Sequence, residues 1–318
     1  MTIEPDSIEL QNLPEPVTDQ NIMLPTGSTA TPKPRLWTVL VTVIATALLF
    51  IAASVGSVAL MAIIYMINKG TGSEPDLKLM LSEFIDYPGG AMLILLPGQL
   101  AILTGTIIAT LLSPEKFAQR LALTTPKWPI AITLAAVLAA PMVSLLWSIP
   151  LSSFVSSSEH LETLSHLFKK AGEGLGIITL FLCVAIAPAI AEEFLFRGYI
   201  QSRLLKRWHP LWAILLSSLL FASFHADPVH IIAVLPLGIW LGIMTYASGS
   251  IIPAMLAHAY NNALSIFGVV YLQADALDSS PFSTLNLIIL STGAVGLLGA
   301  LGWMSFRRSQ EPETIAMS

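Results

Sequence analysis

Apolar residues come in long unbroken runs along this chain, and polar residues gather in the gaps between them. The runs cover about 37–67, 88–112, 129–150, 175–196, 210–225, 230–248, 250–271 and 285–305. Most approach the roughly 20 residues that a helix needs to cross a bilayer. None alternates polar and apolar positions as a barrel strand does, and in lipid only helices and closed barrels satisfy the backbone. The pattern predicts an all-α polytopic transmembrane helix bundle of about eight helices, with seven and nine as the neighbouring counts. The run at 210–225 is short, and the Asp227-Pro228 break behind it marks a helix that need not cross fully.

The gaps divide the chain further. Residues 1–34 are polar and acidic, with prolines at 5, 14, 16, 25, 32 and 34. Such a stretch buries too little surface to fold alone and is expected to be a disordered cytoplasmic tail. It lacks the basic start and short apolar core of a signal peptide. Residues 35–174 then hold the N-terminal helices and loops, 175–272 a core, and 273–318 the last helix with a short cytoplasmic tail. Within the gap at 151–174, Leu161, Leu164 and Phe168 recur at helical spacing beside Glu159, Glu162 and Lys169. That predicts a short helix on the membrane surface, read as a connector rather than a gate. No internal repeat is visible, so a transporter built on inverted repeats lacks its signature.

Composition agrees with the runs. The 318 residues are 54% hydrophobic and only 11% charged, where soluble domains carry about 25% charged residues. Mean hydropathy is +0.75. A net charge of -5 gives no reason to expect nucleic acid as a partner. Cys183, the one cysteine, excludes an internal disulfide or a Cys-rich metal site and reads as a small buried residue. Placing the N-terminus inside puts Lys33, Arg35, Lys116, Arg120, Lys127, Arg203, Lys206, Arg207, Arg307 and Arg308 on inner segments. Outer segments then hold Lys69, Lys78, Lys169 and Lys170. This asymmetry leads to the expectation that both termini are in the cytoplasm.

Three polar clusters interrupt the apolar runs, and charge at membrane depth marks function. They are Glu192-Glu193 with Arg197, Phe221 with His225, and His258 with Asn262. Residues four apart share a helix face, so Glu193 faces Arg197, Phe221 faces His225 and His258 faces Asn262. Glu192 is turned about 100° from Glu193. Arg197 therefore holds Glu193 ionised and leaves Glu192 as the carboxylate free to act as a base. Glu192 precedes Arg207 by 15 residues and His225 follows Pro210 by 15. In an antiparallel helix pair both then lie roughly 22 Å from the basic turn, at one level. His258 comes sooner after its turn, Ser248-Gly249-Ser250, and reaches that level only if the uncharged turn is recessed into the protein. Tyr246, Ser248 and Ser250 are polar enough to line such a recess. A Glu-Arg pair alone is read as structural glue, and a histidine or asparagine alone as an interhelical hydrogen bond. Three such pairs on three helices point to a site. His160, His166, His209 and His230 read as solvated loop or helix-end residues, with His230 and Asp227 close enough to His225 to line its cavity.

Glu192-Glu193-x-x-x-Arg197, Phe221-x-x-x-His225 and His258-x-x-x-Asn262, in this order, resemble the signature of the CPBP family. These are the CAAX-processing and bacteriocin-processing intramembrane proteases, related to the type II CAAX prenyl endopeptidases. The resemblance covers about 175–272. It implies an intramembrane endopeptidase that hydrolyses a peptide bond of a membrane-associated protein or peptide. It further implies that Glu192 and His225 activate water, that Glu193 and Arg197 support them, and that His258 and Asn262 stabilise the oxyanion. Glu192, His225 and His258 would also satisfy a catalytic zinc, but the compact His-Glu-x-x-His signature is absent. The expectation is chemistry without a required cofactor, with a divalent metal such as zinc as the alternative. The implied location is a multi-pass membrane protein, in the inner membrane if the chain is bacterial, whose partners are its substrate and the bilayer. A non-catalytic immunity or scaffold protein that binds a peptide in the same cavity is the competing reading.

Overall fold

Backbone groups in lipid must pair within their own segment, and each apolar run answers by closing into a helix. The computed structural model describes residues 35–69, 77–85, 89–174, 176–272 and 284–310. Its main helices are α1 (Trp37–Lys69), α2 (Leu77–Ile85), α3 (Gly90–Leu111), α4 (Ile130–Ser152) and α5 (Glu159–Ala171). They continue with α6 (Gly176–Leu205), α7 (Pro210–Ser223), α8 (Pro228–Ser248), α9 (Ile252–Tyr271) and α10 (Thr284–Gln310). No strand occurs among the described residues.

All eight apolar runs are helices, and six of these are long and apolar enough to cross a membrane. The other two are α7, with only 14 residues, and α9, made less apolar by His258, Asn261 and Asn262. The chain is an integral, multi-pass membrane protein. The expected tail at 1–34 lies outside the described residues, as do 273–283 and 311–318. α2 falls in a gap between runs and was not expected. It lays Met80 and Phe84 against Met61 and Tyr65 of α1, and Glu83 pairs with Lys69 at 3.3 Å. α5 is the helix expected at 151–174. Ser158 caps it by accepting from Leu161 N, with Glu159 and Glu162 in its first turn and Lys169 and Lys170 in its last. Both charge placements suit the helix dipole.

The bundle is organised for lipid. Exposed positions on α1 are Leu40, Ile44, Leu48, Ile51 and Val55, while its buried positions include Thr42, Thr46 and Ser57. With no water to flee, membrane helices associate through small residues and polar contacts. α4 packs on α8, α9 and α10, so helices from all three segments after residue 34 share one bundle. α6 lies among α3, α7, α8 and α9.

The recess expected at the Ser248–Ser250 turn is present. Ser248 and Ser250 are fully buried, and the loop at 122–127 covers them. Ser250 Oγ donates to the Thr124 carbonyl at 2.6 Å, Thr124 Oγ1 to the Gly249 carbonyl at 2.8 Å, and Lys127 N to the Ser248 carbonyl at 2.8 Å. Gly249 adopts a φ of 70°, the left-handed conformation that ends α8. Tyr246 points outward and does not line this recess.

Candidate active site

α6 carries the two glutamates, and its backbone departs from α geometry on both sides of them. It is π-helical over Phe181–Ile186, α-helical over Ala187–Glu193, and π-helical again over Phe194–Gln201. Such turns are rare and are frequent at functional sites. Pro188 has no N–H to offer the Val184 carbonyl. The Asn262 amide of α9 donates to that carbonyl instead, at 3.0 Å.

Four of the six expected residues form one buried cluster. Arg197 Nη1 donates to Glu193 Oε1 at 2.9 Å, in the i,i+4 pairing read from the sequence. His258 Nδ1 lies 2.9 Å from the same oxygen, and since a carboxylate only accepts, Nδ1 carries the proton. The other ring nitrogen, His258 Nε2, stands 4.0 Å from Glu192 Oε2. His258 thus stands between the two carboxylates, bonded to Glu193 and facing Glu192. Glu193 and Arg197 are 0% exposed, His258 2% and Glu192 7%. Charges this deep persist only when paired and hydrogen-bonded, and Arg197 Nη2 adds a bond to the Gly238 carbonyl of α8 at 2.7 Å.

Phe221 ties this cluster to His225. Its ring lies 4.5 Å from the Arg197 guanidinium carbon and stands edge-on to His258, centroids 5.6 Å apart. It stands edge-on to His225 as well, at 5.3 Å. Among the described residues no hydrogen bond or ion pair joins His225 to Glu192, which corrects the expectation that the two meet directly. The two would meet at one level only if α7 ran on unbroken to His225. α7 ends at Ser223, and His225 follows in a turn where Ala226 has a φ of 59°. His225 Nδ1 faces the Phe221 and Ala222 carbonyls at 3.3 Å, and its ring lies 4.5 Å from that of His230.

Asn262 also stands otherwise than spacing suggested. One of its amide hydrogens is spent on Val184, and its Oδ1 accepts from Asn261 at 3.3 Å. His160, His166 and His209 are exposed, and His209 caps α7 by accepting from Leu211 N. Asp227 caps α8 through His230 N at 2.8 Å, and that backbone donor holds its carboxyl below the usual range.

Sequence reasoning missed Gln99 of α3, whose Nε2 donates to Glu192 Oε1 at 3.1 Å. An uncharged amide amid the apolar run at 88–112 was the available signal. It missed Gly238 too, since the Arg197 contact is made by a backbone carbonyl. A catalytic zinc on Glu192, His225 and His258 needs the three at one point. Among the described residues no three His, Cys, Asp or Glu side chains gather as a metal-binding group. As placed, these residues do not fit the metal.

Residues 174–264 match the family model described as type II CAAX prenyl endopeptidase Rce1-like. No curated protein and no solved structure matches the chain. All of the clustered residues except Gln99 fall within the matched segment.

Proposed function

We propose that the chain, whose residues 174–264 are a protease core of the CAAX endopeptidase family, hydrolyses a peptide bond of a membrane-associated protein or peptide, with Glu192 as the base. One observation carries the reading. Glu192 Oε2 is buried without a hydrogen bond and faces His258 Nε2 across 4.0 Å. That gap is too long for a direct bond, and since Glu192 Oε2 is closed to water as placed, a water joining the two groups enters when the surrounding side chains part. Glu192 takes a proton from this water as its oxygen bonds to the substrate carbonyl carbon, and the carbonyl electron pair moves onto oxygen. The tetrahedral intermediate then breaks its C–N bond, and the proton held by Glu192 passes to the leaving nitrogen. A positioned base typically supplies 10²- to 10⁴-fold.

The supporting roles follow from the donors left over. His258 already donates from Nδ1, so donating to an oxyanion from Nε2 requires the imidazolium. Asn262 retains one amide hydrogen for the same oxygen. His225, donating from Nδ1 to the Phe221 and Ala222 carbonyls at the end of α7, presents an Nε2 lone pair that reaches the water only when substrate or further water fills the space between it and Glu192. No metal is required by these steps. A chelator is expected to leave the purified enzyme active, and loss of activity restored by zinc would overturn that part.

Both termini are proposed to be cytoplasmic, in the inner membrane if the chain is bacterial. Contacts join segments assigned to the same side. Arg203 donates to Thr38, Lys206 pairs with Glu115, and Thr124 bonds the 248–250 turn within the inner set. Lys170 Nζ donates to the Ser82 carbonyl at 2.7 Å within the outer set.

The test compares membrane peptides by mass spectrometry in cells carrying wild type, Glu192→Gln or a deletion. The Glu192→Gln cells are expected to accumulate the same uncleaved peptides as the deletion. A wild-type phenotype for Glu192→Gln would return the chain to a peptide-binding immunity or scaffold role.

A further inference from the structure

We propose that Gln99 is a positioning residue of this site, holding Glu192 so that one carboxylate oxygen is reserved for water. The inference rests on the peptidase reading of Glu192. Gln99 lies on α3, outside the segment matched by the family model, and none of the three motifs includes it. Its Nε2 donates to Glu192 Oε1 at 3.1 Å, while Glu192 Oε2 is buried with no hydrogen bond and faces His258. A donor to one oxygen fixes the rotamer and decides which oxygen is left over. That division matters here because Arg197 and His258 both donate to Glu193 Oε1, which leaves Gln99 as the one side-chain donor to Glu192 among the described residues.

The build of α3 explains how an amide on a distant helix reaches this point. Pro97 interrupts the helix and cannot donate to the Leu93 carbonyl. Ser57 of α1 donates to that carbonyl in its place. At the next residue, Gly98, a Cβ would stand 2.7 Å from the Phe50 ring, so glycine leaves that α1 ring its place against α3. The turn before Gln99 is thus clamped from the α1 side. Gln99 Oε1 is also buried without a partner. Most buried amides have both ends satisfied. This one spends its donor on Glu192 and leaves its acceptor unspent beside the base.

The experiment uses the full chain as wild type, Glu192→Gln, Gln99→Met, Gln99→Glu and the Gln99→Met/Glu192→Gln pair. Product is followed in cells as the membrane peptides that Glu192→Gln fails to cleave. The Glu192 carboxylate is followed on purified protein as the infrared band that the Glu192→Gln change removes. Gln99→Met is expected to slow product formation about 10- to 100-fold, as for one lost hydrogen bond to a charged group. Gln99→Glu keeps the side chain's size and is expected to do at least as much harm, and in both variants the Glu192 band moves. Should Gln99→Met fail to fold, Gln99→Glu carries both readouts. Wild-type product formation in the Gln99 variants, with Glu192→Gln inactive, overturns the positioning role and leaves the peptidase reading standing. Wild-type product formation in Glu192→Gln overturns the peptidase reading instead. The infrared band then decides Gln99 separately, an unmoved band removing it and a displaced band keeping it as the partner of Glu192.

Discussion

Glu193 accepts from Arg197 and from His258 through a single oxygen, so its charge depends on two neighbours at once. Removing one member of a buried pair leaves the other unpaired and costs about 3–5 kcal/mol, whereas removing both costs far less. Arg197→Met is therefore expected to lower the melting temperature of the purified protein sharply. Adding Glu193→Gln to it is expected to restore part of the loss, and a double variant no better than the single would refute the pairing. This pair was legible because residues four apart on a helix must meet. Gln99 was not, since it reaches Glu192 across 93 residues of sequence and no local period links them. His225 was placed at the right end of α7 but not in contact, because counting along a helix cannot see where the helix stops.

At the scale of elements, the close seams are made by glycines. A Cβ on Gly242 of α8 would stand 2.9 Å from Gln201 Oε1 of α6 and 2.9 Å from Ile214 Cγ2 of α7. Gly242→Ala is expected to cost about 1–3 kcal/mol by overpacking, read as a lower melting temperature. Gly302→Ala on α10, where a Cβ meets nothing within 4 Å, is expected to leave that temperature unchanged or raise it slightly. The eight apolar runs predicted their helices because lipid leaves the backbone no other choice. The recess at 248–250 followed from the need to bring His258 level with the glutamates. α2 and the π turns of α6 were not legible. α2 is held by packing on α1, and no period in the sequence marks the register shifts of α6.

For the whole molecule, the basic end of the bundle is clamped around one acid. Burial raises the Glu115 carboxyl, but the Lys206 hydrogen bond and the charges of Arg120, Lys206 and Arg203 outweigh it, and the net effect is a lowering from its ordinary 4.5. A lowered acid stabilises the fold at pH values above 4.5 and loses that contribution as pH falls through its folded value. Wild type is expected to melt above Glu115→Gln at pH 7, and the gap should close in acid. A gap that is constant with pH would count against the clamp. The orientation is tested in a Cys183→Ala background, which removes the chain's one cysteine. Glu173→Cys is expected to react with an impermeant maleimide in intact cells, and Arg207→Cys only after permeabilisation. The charge counts behind this orientation came from sequence, whereas the joining of like segments through Glu115, Thr38 and Thr124 required the fold.

α7 has 14 residues, so its axis spans about 21 Å at 1.5 Å per residue, well short of a hydrocarbon layer of about 30 Å. Its outward face, with Leu211, Trp212 and Leu219, is lipid-facing in character. In a bilayer, a helix this short would be accommodated by local thinning or by snorkelling of its flanking residues, at a fraction of a kcal/mol per Å. The dimple would form over the α7–α8 turn, where His225 and Asp227 sit. Acyl-chain length thereby becomes a load on one wall of the site, heavier in a thick membrane than in a thin one.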